Sequence, residues 1–218
     1  MPIEKKSAIN ELLAVMSRLR GPKGCPWDRE QTHRTLRFHA VEEVYELMDA
    51  IEAGDDHEMA EELGDLLLQV VFHCQLGRER GAFDFEMVAE RITEKLIRRH
   101  PHVFGKVKVK DVDEVWANWE KIKRDEKAGT RHERVSVLDG IPRHLPALLR
   151  AEKLVKKARK AKLLGETNPP KLSKAKLARD LFDLAQKAQR HGWSAEALLR
   201  TEVQRRERIL RASERRAR

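Results

Sequence analysis

The chain has 218 residues, of which 37% are charged, 5% aromatic and two cysteine, a composition that argues against a disulfide framework or a cysteine zinc site and favours amphipathic helices over a sheet. The formal net charge of +9 is uneven, with carboxylates concentrated before Glu126 and Arg and Lys crowding Lys153 to Arg218. That asymmetry raises a polyanion such as nucleic acid as a partner of the second half, beside the plainer reading of a solvated basic surface.

In chain order, Ile9, Leu12, Leu13, Val15, Met16 and Leu19 recur at helical spacing and predict a helix over about 7–20, broken by Gly21, Pro22, Gly24 and Pro26. The segment from Met1 to Arg20 is amphipathic and partly acidic, unlike a secretory signal. No apolar run anywhere reaches the roughly 18 residues needed to cross a bilayer, so a cytoplasmic protein without a membrane span is expected. After the loop GPKGCPWD, the stripe Val41, Val44, Tyr45, Met48 and Ile51 predicts a helix from near His39 to Ala53. Gly54 suits the position past its end, and Asp55 with Glu58 resembles a capping box that starts a helix running to about Arg80. Asp84 caps another to Arg99, HPHVFG reads as a loop, and Asp111 with Glu114 opens a helix through Trp116, Trp119 and Ile122. Past Gly129 the composition turns basic. Helices are expected over Leu145–Leu164, Lys174–His191 and Ala195–Arg215, with GETNPPKLS linking the first two. The main boundary is placed near residue 130, dividing an all-α chain into 1–130 and 131–218.

The acids of the first half follow a pattern. Glu43 and Glu46 share a helix face at i, i+3, Glu42 joins them at i, i+4 from Glu46, and Glu62 and Asp65 repeat the i, i+3 spacing on the next helix. A tight turn at Gly54 and Asp55 would set Glu46 level with Glu62 and Glu43 level with Asp65, so that four carboxylates converge between two helices. Two negative charges ~4 Å apart repel by about 4 kcal/mol at an effective dielectric near 20. Raised carboxylate pKa values would relieve that repulsion at a cost, whereas a divalent cation does so directly, and all-oxygen donors select Mg²⁺ or Mn²⁺. No Glu-x-x-His pair supports a ferritin-like di-iron centre. Acidic helix faces are ordinarily just solvated, but Leu63, Leu66, Leu67, Val70 and Val71 predict a mostly buried helix on which Glu62 and Asp65 are half-buried and need partners.

Carboxylate-held Mg²⁺ keeps positions open for substrate phosphates. Lys95 and Arg99, at i, i+4 and adjoined by Arg98 and His100, could meet them. Trp119 and Lys123, also at i, i+4, offer an aromatic face for a base beside an ammonium, against the plainer alternative of a packed Trp with a snorkelling Lys. His33, His39, His73 and His102 read as structural or surface groups.

Taken together, GCPWDREQTH at Gly24 to His33, EEVYE, ELGDLLLQVVFH at Glu62 to His73, KLIRRHPHVFG and NWEKIK resemble, in order and spacing, the MazG family of nucleoside triphosphate pyrophosphohydrolases over about residues 20–125. The resemblance implies an all-α MazG-like helical bundle, usually dimeric. It implies an enzyme that hydrolyses the α–β link of ribo- and deoxyribonucleoside triphosphates to a monophosphate and pyrophosphate with Mg²⁺, Mn²⁺ being a substitute. Position by position it implies Glu43, Glu46, Glu62 and Asp65 as metal ligands, with Glu42 behind them or acting as a base that orients the attacking water. Glu42 and Glu43 are then the catalytic pair. Lys95 and Arg99 match positions that hold the triphosphate, Trp119 and Lys123 positions near the nucleotide, and a metal-bound water attacks phosphorus without a covalent enzyme intermediate.

Some bacterial members carry two tandem copies. VLDGIPRHLPALLRAEKLVKKA resembles the segment that joins them, and KLARDLFDLAQKAQRHGWSAEALLR resembles part of a second copy in which Lys176 and Arg179 replace Glu and Asp. The second half is therefore expected to be a shortened, metal-free remnant. A rival reading, an idle MazG-like protein that binds nucleic acid or regulates, draws on the basic tail. That tail lacks interleaved stacking aromatics and a helix-turn-helix signature.

Overall fold

The computed structural model describes residues 7–131, 133–165 and 171–216; the middle of the expected linker GETNPPKLS and the start of the Met1 segment lie outside the described residues. Among those described there are ten helices and no strand, so the protein is all-α. They divide into two compact units, Met1–Lys110 and Asp111–Arg218. The division by packing comes earlier than the change in composition near residue 130, so that the helix Val112–Asp125, before that change, falls in one unit with the basic helices.

The first unit holds α1 (Ala8–Leu19), α2 (Pro26–Glu30), α3 (His39–Ala53), α4 (Asp56–Glu79), α5 (Phe85–Arg99) and α6 (Pro101–Phe104). The two short helices fall where loops are predicted. Each opens on a proline at its first position, where the fixed φ is already helical and the missing N–H costs nothing. The capping signals hold: the side chain of Asp55 accepts from the backbone N–H groups of His57 and Glu58, and that of Asp84 from Met87.

Met16, Leu36, Val71, Phe72 and Leu76 form the core of this unit, flanked by Leu12, Leu13 and Phe85. Arg20 closes it. Its guanidinium donates to both Glu79 oxygens, at 2.7 and 2.6 Å, and to the carbonyl of Asp28, and it stands over the Phe72 ring. Gly77 is required on α4, since a Cβ there would come within 2.6 Å of the Phe83 carbonyl and 2.7 Å of its ring.

One expectation fails in part. Burial on α4 is confined to its second half, Gln69 to Gly77, whereas Leu63, Leu67 and Val70 are exposed in the single chain. Periodicity identified an apolar face but not how much of it this chain itself covers. On α3 the stripe Val41, Val44, Tyr45, Met48 and Ile51 is likewise exposed.

The second unit holds α7 (Val112–Asp125), α8 (Ala147–Lys160), α9 (Lys174–Arg190) and α10 (Ala195–Arg216). Its core is Leu138, Leu154, Ala158, Val203 and Leu210. The buried Arg150 pairs with Glu207, and Glu214 accepts from the Ser136 hydroxyl and the Val137 N–H.

Where the segment before α3 meets α4, His33 and His73 stack with their Nδ1 atoms 2.8 Å apart, one donating and the other accepting. Burial holds both imidazoles below their ordinary pKa near 6.5, helped by the charge of Arg80 at His33 and by His33 at His73. Below pH ~6.5 the unfolded chain takes up protons that the folded pair refuses, so this contribution to stability is complete above that pH and is lost as the pH falls. Thermal unfolding followed by circular dichroism should therefore show a steeper fall in Tm between pH 6.5 and pH 5 for the wild type than for the double variant His33→Phe, His73→Phe. Equal slopes would remove the pair from the account of acid sensitivity.

Candidate metal centre

The site is built by a helical hairpin. Gly54 ends α3 in the left-handed region at φ 69°, a conformation that costs glycine little, and the Asp55 cap starts α4 at once. The connection is thus short, and α3 packs along α4 as the most extensive helix pair among the described residues.

Across that contact Glu43 on α3 faces Glu62 and Asp65 on α4. One carboxylate oxygen from each lies within 4.8 Å of the others. Oxygens around one octahedral Mg²⁺ stand roughly 3 Å apart, so the three groups would have to draw closer by up to about 2 Å to share an ion. The donor set is all carboxylate, which suits a hard divalent cation. A second group, His57, Glu58 and Glu61, is exposed on the first turns of α4 and involves no other helix.

Electrostatics mark the same place. The carboxyl of Glu43 is pushed above its ordinary range by lost hydration, then by the charges of Asp65, Glu46 and Glu42, against a hydrogen bond from Gln69. Glu62 is raised in the same way, by lost hydration and then by Glu46, Asp65 and Glu43. Glu46 therefore acts on both groups, although it is exposed and contributes no oxygen to the tight trio. Glu42 is exposed, 3.7 Å from Nδ1 of His39 one turn earlier.

Lys95 and Arg99 are half-buried on α5 of the same unit. Trp119 and Lys123 lie on α7 in the second unit, where they engage each other: the ammonium stands 4.3 Å from the centroid of the Trp119 ring and 2.8 Å from a Glu120 oxygen. Trp116 meets Trp119 edge-on at 5.3 Å. Lys176 pairs with Asp180 at 2.7 Å, and among the described residues the second unit has no trio like that of the hairpin.

Gln69 escaped the sequence reading. Its Nε2 donates to Glu43 Oε1 at 3.3 Å from within the helix contact. The available signal was position: Gln69 is i+7 from Glu62 and i+4 from Asp65, on the same stripe of α4.

Residues 31–104 match the MazG nucleotide pyrophosphohydrolase domain. The chain is 51% identical over 143 residues to the uncharacterized protein YabN of Bacillus subtilis (strain 168), covering 66% of this chain and 29% of that protein. It is 49% identical over 150 residues to the nucleoside triphosphate pyrophosphohydrolase of Escherichia coli (strain K12), covering 68% of this chain and 56% of that one. It is 41% identical over 192 residues to an uncharacterized 26.1 kDa protein of Streptomyces cacaoi, covering 87% of this chain and 76% of that one. The chain thus spans between 29% and 56% of the length of the first two of these relatives. The hairpin acids Glu42, Glu43, Glu46, Glu62 and Asp65 all fall inside the matched domain, and the chain belongs to the MazG nucleotide pyrophosphohydrolase family.

Proposed function

We propose that the first unit hydrolyses ribo- or deoxyribonucleoside triphosphates to a nucleoside monophosphate and pyrophosphate in a Mg²⁺-dependent reaction, with Mn²⁺ as a substitute. The observation that carries this reading is the trio Glu43, Glu62 and Asp65, drawn from two helices inside the matched domain. The relatives named nucleoside triphosphate pyrophosphohydrolase support it. The two cysteines are free, which suits a reducing compartment, and we place the reaction in the cytoplasm. No helix among the described residues is long and apolar enough to cross a membrane.

Glu43, Glu62 and Asp65 would hold the cation, with Glu46 beside them as the fourth ligand. The ion would supply charge compensation for the triphosphate and Lewis acidity at phosphorus. Lys95 and Arg99 bind the phosphates and offset the charge that develops on the departing pyrophosphate. Glu42, exposed beside Glu43, orients the attacking water and accepts its proton. The new bond joins that oxygen to phosphorus, and the anhydride P–O bond breaks with its electron pair leaving on pyrophosphate. For Trp119 and Lys123, nucleotide contact rests on the resemblance alone. The second unit acts as a shortened remnant of a further copy, without a metal of its own.

A second copy of the chain is the partner we propose for the exposed apolar stripe on α3. Tyr45, Met48 and Ile51 there and Leu63 on α4 stay about half exposed, and Leu67 is 39% exposed; exposed apolar surface of this kind, where contiguous, marks an interface. Covering it would also bury the apolar face that the α4 sequence encodes.

Incubation of the purified protein with nucleoside triphosphates and Mg²⁺ should yield monophosphate and pyrophosphate rather than orthophosphate. Glu46→Ala or Asp65→Ala should lower kcat at least about 100-fold with helical content retained, as loss of several kcal/mol of charge stabilisation requires. Wild-type rates in either variant would end the assignment. Chelator-treated protein should gain a few degrees in Tm on addition of Mg²⁺. Asp65→Asn, which removes one of the crowded charges, should melt higher than the wild type without the ion and lose the ion's effect. Light scattering should give the mass of a dimer for the wild type and a shift toward monomer for Met48→Glu; a monomeric wild type would overturn the pairing.

A further inference from the structure

Gln69 is the one buried polar side chain of the first unit among the described residues, at 8% exposure, with Val71 and Phe72 buried beside it in sequence. Its amide is only half satisfied. Nε2 donates to Glu43 across the α3–α4 contact, while Oε1 is buried without a hydrogen-bond partner. A buried carbonyl left unpaired is a cost that an apolar side chain of similar size would not carry, so packing does not account for a glutamine here. What the residue gains is an N–H aimed at a carboxylate, and a hydrogen bond to a charged acceptor is the stronger kind.

The geometry fixes the amide's orientation as well. Only the NH₂ side can face Glu43, because the amide oxygen in its place would be repelled by the carboxylate. Gln69 stands on the same stripe of α4 as Glu62 and Asp65, so one helix face both supplies two members of the trio and orients the third.

We propose that Gln69 is a positioning residue: it holds the Glu43 carboxylate in the orientation that places an oxygen beside Glu62 and Asp65, and thereby sets the affinity of the trio for a divalent cation. The inference rests on the proposal that this trio holds such a cation. Groups that orient metal ligands from behind commonly change affinity or activity by about 10- to 100-fold when removed.

The test uses the full chain and Mn²⁺ alone as probe, with free ion read by electron paramagnetic resonance, urea unfolding measured in parallel, and kcat and KM measured on nucleoside triphosphate. Gln69→Leu should unfold at the same or a higher urea concentration than the wild type, bind Mn²⁺ about tenfold more weakly, and lose kcat with KM changed less than about twofold. Combined with Glu43→Ala, the Gln69→Leu change should have no further effect on Mn²⁺ affinity, since its influence runs through Glu43. Should Gln69→Leu fail to fold, Gln69→Met carries the same comparison with an unbranched side chain. A wild type that binds Mn²⁺ while the variant binds it within twofold overturns the positioning role and leaves the metal centre standing. An equal loss of affinity with and without Glu43 also overturns it. A wild type that binds no Mn²⁺ overturns the metal centre itself, and the positioning role with it.

Discussion

Like charges held together by a backbone that gives them no easy way apart are the constraint on which the first unit turns. Gly54 and the Asp55 cap leave little slack between α3 and α4, so the register of one helix against the other is set within a residue or two of the turn. Each step of slip would rotate a side chain by about 100° around its helix. In the observed register Glu43, Glu62 and Asp65 meet, and Glu43 and Glu62 are both pushed above their ordinary range, first by lost hydration and then by the neighbouring carboxylates. A fold that concentrates negative charge in this way is less stable than it could be without a counter-ion, and that shortfall is what makes a cation-dependent function a physical reading rather than a matter of likeness alone.

The hairpin was legible in the sequence because its determinants are local. The bounds of α3 and the start of α4 follow from an apolar stripe, a glycine and a capping aspartate, all within one or two turns of the residues they place. The helices α2 and α6 were not legible. Each is a single proline-led turn, too short to show a period, and its stability depends on surroundings that pattern does not encode. Burial on α4 was overstated at Leu63, Leu67 and Val70 for a different reason: an apolar period shows that a face wants covering and is silent on whether the same chain covers it. Gln69 was passed over because an uncharged amide among apolar residues carries no charge pattern, and only its contact with Glu43 gives it meaning.

The second unit shows the same helical chemistry with several of its carboxylates paired to cations. Lys176 and Asp180 neutralise each other one turn apart, and Arg211 bridges Asp139 and Glu207. Arg150 pairs with Glu207 inside the unit, and its core of Leu138, Leu154, Ala158, Val203 and Leu210 is apolar. Acidic and basic helices can thus share one all-α architecture while differing in what they ask of the solvent.

Arg20 has a further implication for which sequences this unit can tolerate. One planar fork reaches the end of α4 with two nitrogens, the carbonyl of Asp28 with a third, and lies over an aromatic ring. Lysine would preserve the charge and lose the shape, because a compact ammonium on a flexible stem has no second parallel donor for Glu79 and hydrates too strongly to rest on Phe72. Two residues that count as near-synonyms on an open surface are different words at this junction, and drift between them there would loosen three segments of chain at a stroke.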